Sequence, residues 1–121
     1  MPLRRRRILC VEDHEDTRLM LYNLLKRESY DVITAANAAE GLSLAKEDAF
    51  DLLIIDIWLP DESGNKLCRR VREFEPYTPI IVYSGAASVS DQQNARLSEV
   101  DAFVAKPNID ELLDKVRYFL D

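Results

Sequence analysis

The sequence predicts a three-layer α/β sandwich, in which a sheet of five parallel strands is covered by five helices. Short apolar runs rich in β-branched residues recur five times along the chain, and each is followed by a segment of helical periodicity. Most of those segments open on an Asn or Ser cap signal. Strands that alternate with helices must pair in parallel, because each helix crosses a sheet face, in the right-handed sense, before the next strand can join. A chain of 121 residues is expected to form one domain over 1–121. A domain of that size buries roughly two-thirds of its unfolded surface, so no disulfide framework or metal staple is needed.

The first strand is read over Arg7 to Val11, where Ile8-Leu9-Cys10-Val11 is wholly apolar. The first helix, about Asp16 to Glu28, spaces Met20, Leu21, Leu24 and Leu25 at helical intervals. Asp31 to Ala35 forms the second strand, and Asn37 with Glu40 three residues on has the spacing of a capping box that opens the second helix. The third strand is placed over Leu52 to Ile57, with Pro60 ending the run, and Ser63-Gly64 leads the third helix. Ile80 to Tyr83 is the fourth strand, followed by a fourth helix opened by Ser88 with Asp91. Ala102 to Ala105 is the fifth, and Asn108 with Glu111 starts a fifth helix over about Ile109 to Leu120. No linker, low-complexity tract or internal repeat interrupts this order.

In open parallel sheets the ligand site lies beyond the carboxyl ends of the strands, where strand order reverses. Those ends carry Glu12 and Asp13 after the first strand, Asp56 after the third, Ser84 after the fourth and Lys106 after the fifth, while the second offers only Ala35-Ala36. Asp56 closes an almost wholly apolar run, a costly place for a carboxylate unless its charge is used. Three carboxylates in one cleft repel one another, which raises their pKa values or recruits a cation. Mg²⁺ suits such a site, since it binds through one or two carboxylates, keeps several waters and is completed by phosphate. Lys106 adds a mobile point charge, and Ser84 a hydroxyl able to donate to an oxyanion. Together these groups suit phosphoryl transfer, where catalysis is chiefly in-line positioning and charge neutralisation, with Asp56 as the nucleophile that forms an aspartyl phosphate. Singly, Asp13 reads as well as a helix cap, Ser84 as a turn hydroxyl and Lys106 as a surface ion pair. Their arrival at one sheet end favours the chemistry.

The net charge of −6 combines 16 basic with 22 acidic residues, and four of the basic ones are consecutive, Arg4 to Arg7. An acidic body argues against nucleic acid as a direct partner, and the Arg run, which leads straight into the first strand, reads as an exposed strand start rather than a basic arm. No apolar stretch of signal-peptide length precedes it, and no 18 consecutive residues are apolar, so a soluble cytoplasmic protein without membrane contact is expected. Cys10 and Cys68 lie in apolar surroundings and read as buried thiols. His14 reads as an exposed loop residue rather than a ligand or base.

With Val11-Glu12-Asp13, Asp56 followed by Pro60 and Gly64, Tyr83-Ser84-Gly85 and Ala105-Lys106-Pro107, essentially the whole chain resembles the receiver domain of two-component response regulators, including the stand-alone chemotaxis regulators. Asp13 lies 43 residues before Asp56, Ser84 28 after and Lys106 50 after, spacings that agree with that family. The resemblance implies a doubly wound, flavodoxin-like sheet of order 2-1-3-4-5. It implies that a histidine kinase or histidine phosphotransfer protein donates from phosphohistidine to Asp56, with Mg²⁺ held by Asp13, Asp56 and the backbone carbonyl of Trp58, and Glu12 assisting through water. It also implies that Ser84 moves to hydrogen-bond the phosphoryl group and that Phe103 turns inward, changing the face made by the fourth helix, fifth strand and fifth helix. That face would be read by a downstream protein or by an output domain outside this sequence. The domain would promote its own phosphorylation and slow autodephosphorylation without acting as an enzyme on others.

Some positions depart from the family pattern. Ser98-Glu99-Val100-Asp101 stands where a glycine is usual, which would strain Glu99 or rebuild the turn. Asn108 replaces a frequent phenylalanine, and Glu12 stands where a second aspartate is common. Trp58 and Ala86 flank the path of water to an acyl phosphate, so the indole is expected to slow hydrolysis; as an exposed rim aromatic it would equally suit a partner contact. Other readings are weaker. A pseudo-receiver that docks partners without phosphorylation would be favoured by loss of Asp56, Asp13 or Lys106, and all three are present. An aspartyl-phosphate phosphatase would need a second carboxylate at position 58. A nucleotide enzyme would need a glycine-rich loop after the first strand.

Overall fold

The computed structural model describes residues 4–85, 93 and 100–121. Five strands, β1 (Arg7–Val11), β2 (Asp31–Ala35), β3 (Leu52–Ile55), β4 (Ile80–Ser84) and β5 (Ala102–Ala105), form one sheet of order β2-β1-β3-β4-β5. Every pairing is parallel, with β1 between β2 and β3 so that Val11 faces both Ala35 and Ile55. The order reverses between β1 and β3, the kind of switch point beside which ligand sites of open parallel sheets lie. Among the described residues the helices are α1 (Glu15–Arg27), α2 (Ala38–Glu47), α3 (Gly64–Arg72) and a C-terminal helix (Ile109–Leu120). The expected fourth helix with its Ser88 and Asp91 signal, together with Ala86 and the Ser98-Glu99 half of the following turn, lies outside the described residues.

Alternation along the strands divides the core in two. Leu9, Val11, Leu53 and Ile55 point to one face and pack with Ala38 and Ala45 of α2 and Leu67, Cys68 and Val71 of α3. Ile8, Cys10, Leu52 and Ile54 point to the other, against Leu21 and Leu25 of α1 and Leu112, Val116 and Leu120 of the C-terminal helix. Each fully buried Leu or Ile is worth about 1.5–3 kcal/mol, which is why strands covered on both faces are apolar throughout.

The element ends show local chemistry at work. β3 stops at Ile55, two residues short of the expected end: the Ile57 carbonyl accepts from Leu59 N and Gly64 N, so the chain has already turned. β4 runs one residue further than expected, because Ser84 still pairs with Ala105. The two capping boxes form only in part. Asn37 and Asn108 accept from Glu40 N and Glu111 N as expected, but the Glu40 carboxylate bonds Ala36 N, and Glu111 takes the Asn108 side-chain amide. α1 closes with Ser29 N bonded to Lys26 O and Tyr30 N to Leu25 O, which puts Ser29 at φ 70, a left-handed position usually given to glycine. The Arg run is an ion-paired strand start. Arg4, Arg5, Arg6 and Arg7 pair with Asp51, Asp31, Asp51 and Asp48 respectively, and Asp51 also accepts from Arg7 N. Among the described residues no helix is long and apolar enough to cross a membrane.

Candidate functional site

Three of the residues singled out share one backbone device. Glu12, Asp56 and Lys106 are each the first residue past a strand, and each N–H is still held by the last carbonyl of the neighbouring strand: Glu12 N on Ala35 O, Asp56 N on Val11 O, Lys106 N on Ser84 O. Their side chains are thereby delivered to the carboxyl lip of the sheet with little backbone freedom.

They meet there. Asp56 is buried, and its Oδ1 accepts from Ser84 Oγ at 2.6 Å and from Trp58 N at 3.2 Å, while Oδ2 accepts from Lys106 Nζ at 3.0 Å. Lys106 Nζ also donates to Glu12 Oε1 at 2.5 Å, and Glu12 Oε2 accepts from His14 N. Glu12 is thus a buried residue bonded directly to the lysine. Burial pushes its carboxyl above the usual range, helped by the Asp56 charge and opposed by Lys106. Burial works against the Lys106 charge too, but the bonds to Glu12 and Asp56 outweigh it and raise its pKa. Lys106 therefore stays an ammonium.

Asp13 is exposed and completes an acidic group: Glu12, Asp13 and Asp56 bring one oxygen each within 4.8 Å of one another. Three carboxylates against one ammonium leave two negative charges in excess when all are ionised. An oxygen-only cluster with that imbalance fits a hard divalent cation such as Mg²⁺. Trp58, two residues after Asp56, is 63% exposed and bridges to Ser63. Phe103 is half-buried on the α2–α3 side of the sheet, packed against the core there.

Several contributors escaped the sequence reading. His14 is the N-cap of α1, its ring nitrogen accepting from Thr17 N, a role considered only for Asp13. Arg18 Nη1 donates to the carbonyls of both Glu12 and Asp13, clamping the acidic turn. Asp61 accepts from Ala38 N and Ala39 N. Asp101, in the turn expected to lack a glycine, accepts from Ile80 N and pairs with Arg72. Arg18, Asp61 and Asp101 read in sequence as solvated charges, and only their spatial partners reveal them.

Residues 8–117 match the family model described as response regulator receiver domain. The chain belongs to that family. Receiver domains are the switch modules of two-component response regulators; phosphorylation is their general mode of action, and they bind Mg²⁺ at an acidic pocket. This one is 35% identical over 111 residues to an uncharacterized transcriptional regulatory protein, YkoG, of Bacillus subtilis, covering 91% of the chain and 49% of the relative. It is 33% identical to the response regulator ArlR of Staphylococcus aureus, covering 93% of the chain and 52% of that protein. The chain spans about half the length of these curated relatives. In structure it is similar to a CheY-like receiver domain of Methanospirillum hungatei, with a TM-score of 0.93 and 33% identity over 98% of this chain and 95% of the other. It is also similar to the response regulator TrrA of Thermotoga maritima in complex with Mg²⁺ and BeF, with a TM-score of 0.87 and 31% identity over 95% and 99%. The receiver-domain fold and order 2-1-3-4-5 expected from sequence are those observed.

Proposed function

We propose that this receiver domain accepts a phosphoryl group on Asp56 from the phosphohistidine of a histidine kinase or histidine phosphotransfer protein, as one domain over residues 1–121 acting in the cytoplasm. The observation that carries the reading is the opposed grip on one buried carboxylate, Ser84 on Oδ1 and Lys106 on Oδ2. An Asp56 oxygen forms the new O–P bond as the donor N–P bond breaks and its imidazole keeps the electron pair. Glu12, Asp13, Asp56 and the Trp58 carbonyl would hold Mg²⁺, which when bound supplies charge neutralisation on the equatorial phosphoryl oxygens. The binding of Mg²⁺ and BeF by TrrA supports this choice of ion. Lys106 shifts from the carboxylate to the phosphoryl oxygens, and Ser84, already on Asp56, follows the added charge of about −1.5 to −2.

The output follows from that shift. Ser84 and Phe103 sit on adjacent strands, so a displaced serine opens space for the half-buried ring, and β5 with the C-terminal helix and the segment before β5 becomes the altered face. Its reader is a downstream protein or an attached output domain. The test is incubation with acetyl phosphate and Mg²⁺ followed by intact mass. Wild type should gain one phosphoryl group and Asp56→Ala none. Labelling of both alike would refute the acceptor, and no labelling of wild type would favour a docking module that works unphosphorylated.

A further inference from the structure

The loop between β3 and α3 carries both Asp56 and Trp58, and its outer end is tied to another helix. Asp61 Oδ1 accepts from Ala38 N and Oδ2 from Ala39 N, both at 2.9 Å. One carboxylate thus takes the first two unpaired N–H groups of α2 from 22 and 23 residues away. The helix has a cap of its own: Asn37 accepts from Glu40 N, and Glu40 from Ala36 N. Ala38 is fully buried in the core, so the anchor point is rigid. These two backbone bonds hold the Asp61 carboxyl below the usual range, in keeping with a carboxylate at a helix N-terminus.

Asp61 stands outside the acidic group of Glu12, Asp13 and Asp56, and its oxygens are already engaged. What it adds is a tie to α2 for a loop otherwise held on its own strand and on α3, by Gly64 N on Ile57 O at 2.8 Å and by the Trp58–Ser63 bridge. On either side of Asp61, Leu59 packs against the core and Glu62 pairs with Lys66 and Arg70 of α3, so it is Asp61 that ties the stretch to α2. Metal and phosphoryl sites need their first ligands held within about 0.5 Å, and a displacement of about 1 Å can cost up to about 100-fold.

We infer that Asp61 is a positioning residue for the magnesium site: by tying the loop to α2 it fixes the segment from which Trp58 offers its carbonyl. The inference rests on the metal-dependent reading above and deepens it.

The test is titration with Mg²⁺ alone, without phosphodonor, followed by the fluorescence of Trp58, the single tryptophan, and by calorimetry. Asp61→Ala should raise the Mg²⁺ Kd about five- to ten-fold. Asp61→Asn, which keeps one acceptor, should fall between, and it carries the comparison if the alanine variant does not fold. Asn37→Ala removes the helix's own cap without touching the tie, and should leave Kd unchanged while lowering stability. Weakening by Asp61→Ala should persist at about 1 M KCl, where exposed charges are screened beyond about 3 Å. An unchanged Kd in a merely less stable variant would reduce Asp61 to a helix cap and overturn the inference. So would equal weakening by Asn37→Ala, or weakening that vanishes at high salt. Wild type that binds no Mg²⁺ would remove the metal reading along with it, whereas wild-type binding with unaltered Asp61 variants removes this inference alone.

Discussion

A Cβ atom on Gly64 would overlap the backbone carbonyl oxygen of Asp56: the first residue of α3 lies directly against the strand end that carries the acceptor. The atoms met are backbone, and a Cβ is fixed by its own backbone, so no side-chain rotation can relieve the overlap. Ser63, the N-cap, and Gly64 N, bonded to Ile57 O, hold the helix start in that place. The glycine is needed for close approach rather than for an unusual φ.

Gly64→Ala is therefore expected to push α3 away from Asp56 and to destabilise the domain by about 1–3 kcal/mol, the usual cost of overpacking. Urea unfolding measures the loss. Phosphorylation by acetyl phosphate should slow in the folded fraction, because the carboxylate moves with the loop. A variant with wild-type stability and labelling rate would show that the backbone relaxes freely.

Lys106→Met should strand two buried carboxylates, since one ammonium serves both Glu12 and Asp56. Removing one partner of a buried ion pair costs about 3 kcal/mol or more. Mg²⁺ should restore part of that stability, as it supplies the missing positive charge. A thermal scan with and without Mg²⁺ checks this, and a variant as stable as wild type without the ion would contradict it.

Ser29→Gly should stabilise the fold. A non-glycine residue at φ 70 costs about 1 kcal/mol, and the greater backbone freedom of glycine in the unfolded chain returns part of that gain. A net gain of about 0.5 kcal/mol is expected in the urea midpoint. A loss would mean that the serine hydroxyl contributes more than its backbone costs.

The two cysteines set an alkaline limit. Burial pushes both the Cys10 and the Cys68 thiol up to about 12. A raised pKa in the folded state means that the stability from keeping these thiols neutral is complete below the unfolded value of about 8.5. It is then lost as pH rises toward 12. Tyr30, pushed up to about 12 chiefly by burial and by its bond to Asp121, acts in the same direction from about pH 10 upward. The urea midpoint should hold steady through neutral pH and fall between about pH 9 and 12. Neither thiol should react with a chromogenic thiol reagent at pH 8 until the protein unfolds, and rapid labelling of the native state would contradict the burial.

Trp58 is largely exposed, two residues after the acceptor, and its backbone N bonds Asp56 Oδ1. Trp58→Asn should shorten the lifetime of the phosphorylated form several-fold by admitting water, measured as loss of the added mass after the phosphodonor is removed. Hydrolysis as slow as in wild type, or slower, would leave the indole to partner contact.

The strands and helices were legible because their signals are local. Alternation and apolar runs placed β1, β2 and β5 to the residue, and Asn37, Ser63 and Asn108 each cap the helix they were expected to open. The end of β3 was not legible, because Ile57 is as apolar as the strand before it and only its carbonyl's bond to Gly64 shows that the chain has turned. Asp56, Asp13, Ser84 and Lys106 could be named in advance for a topological reason: a parallel sheet gathers strand ends at one lip, so position along the chain is enough to say what arrives there. What that order does not contain is which oxygen each group takes. Glu12 and Lys106 are 94 residues apart, Ser84 and Asp56 28, Asp61 and Ala38 23. Contacts of that kind depend on helices settling against the sheet to within a hydrogen-bond length. Periodicity and capping act over a few residues and determine the elements and their order. The charge balance around Asp56, the clamp by Arg18 and the tie through Asp61 exist only once packing has brought distant carboxylates, cations and backbone N–H groups within reach.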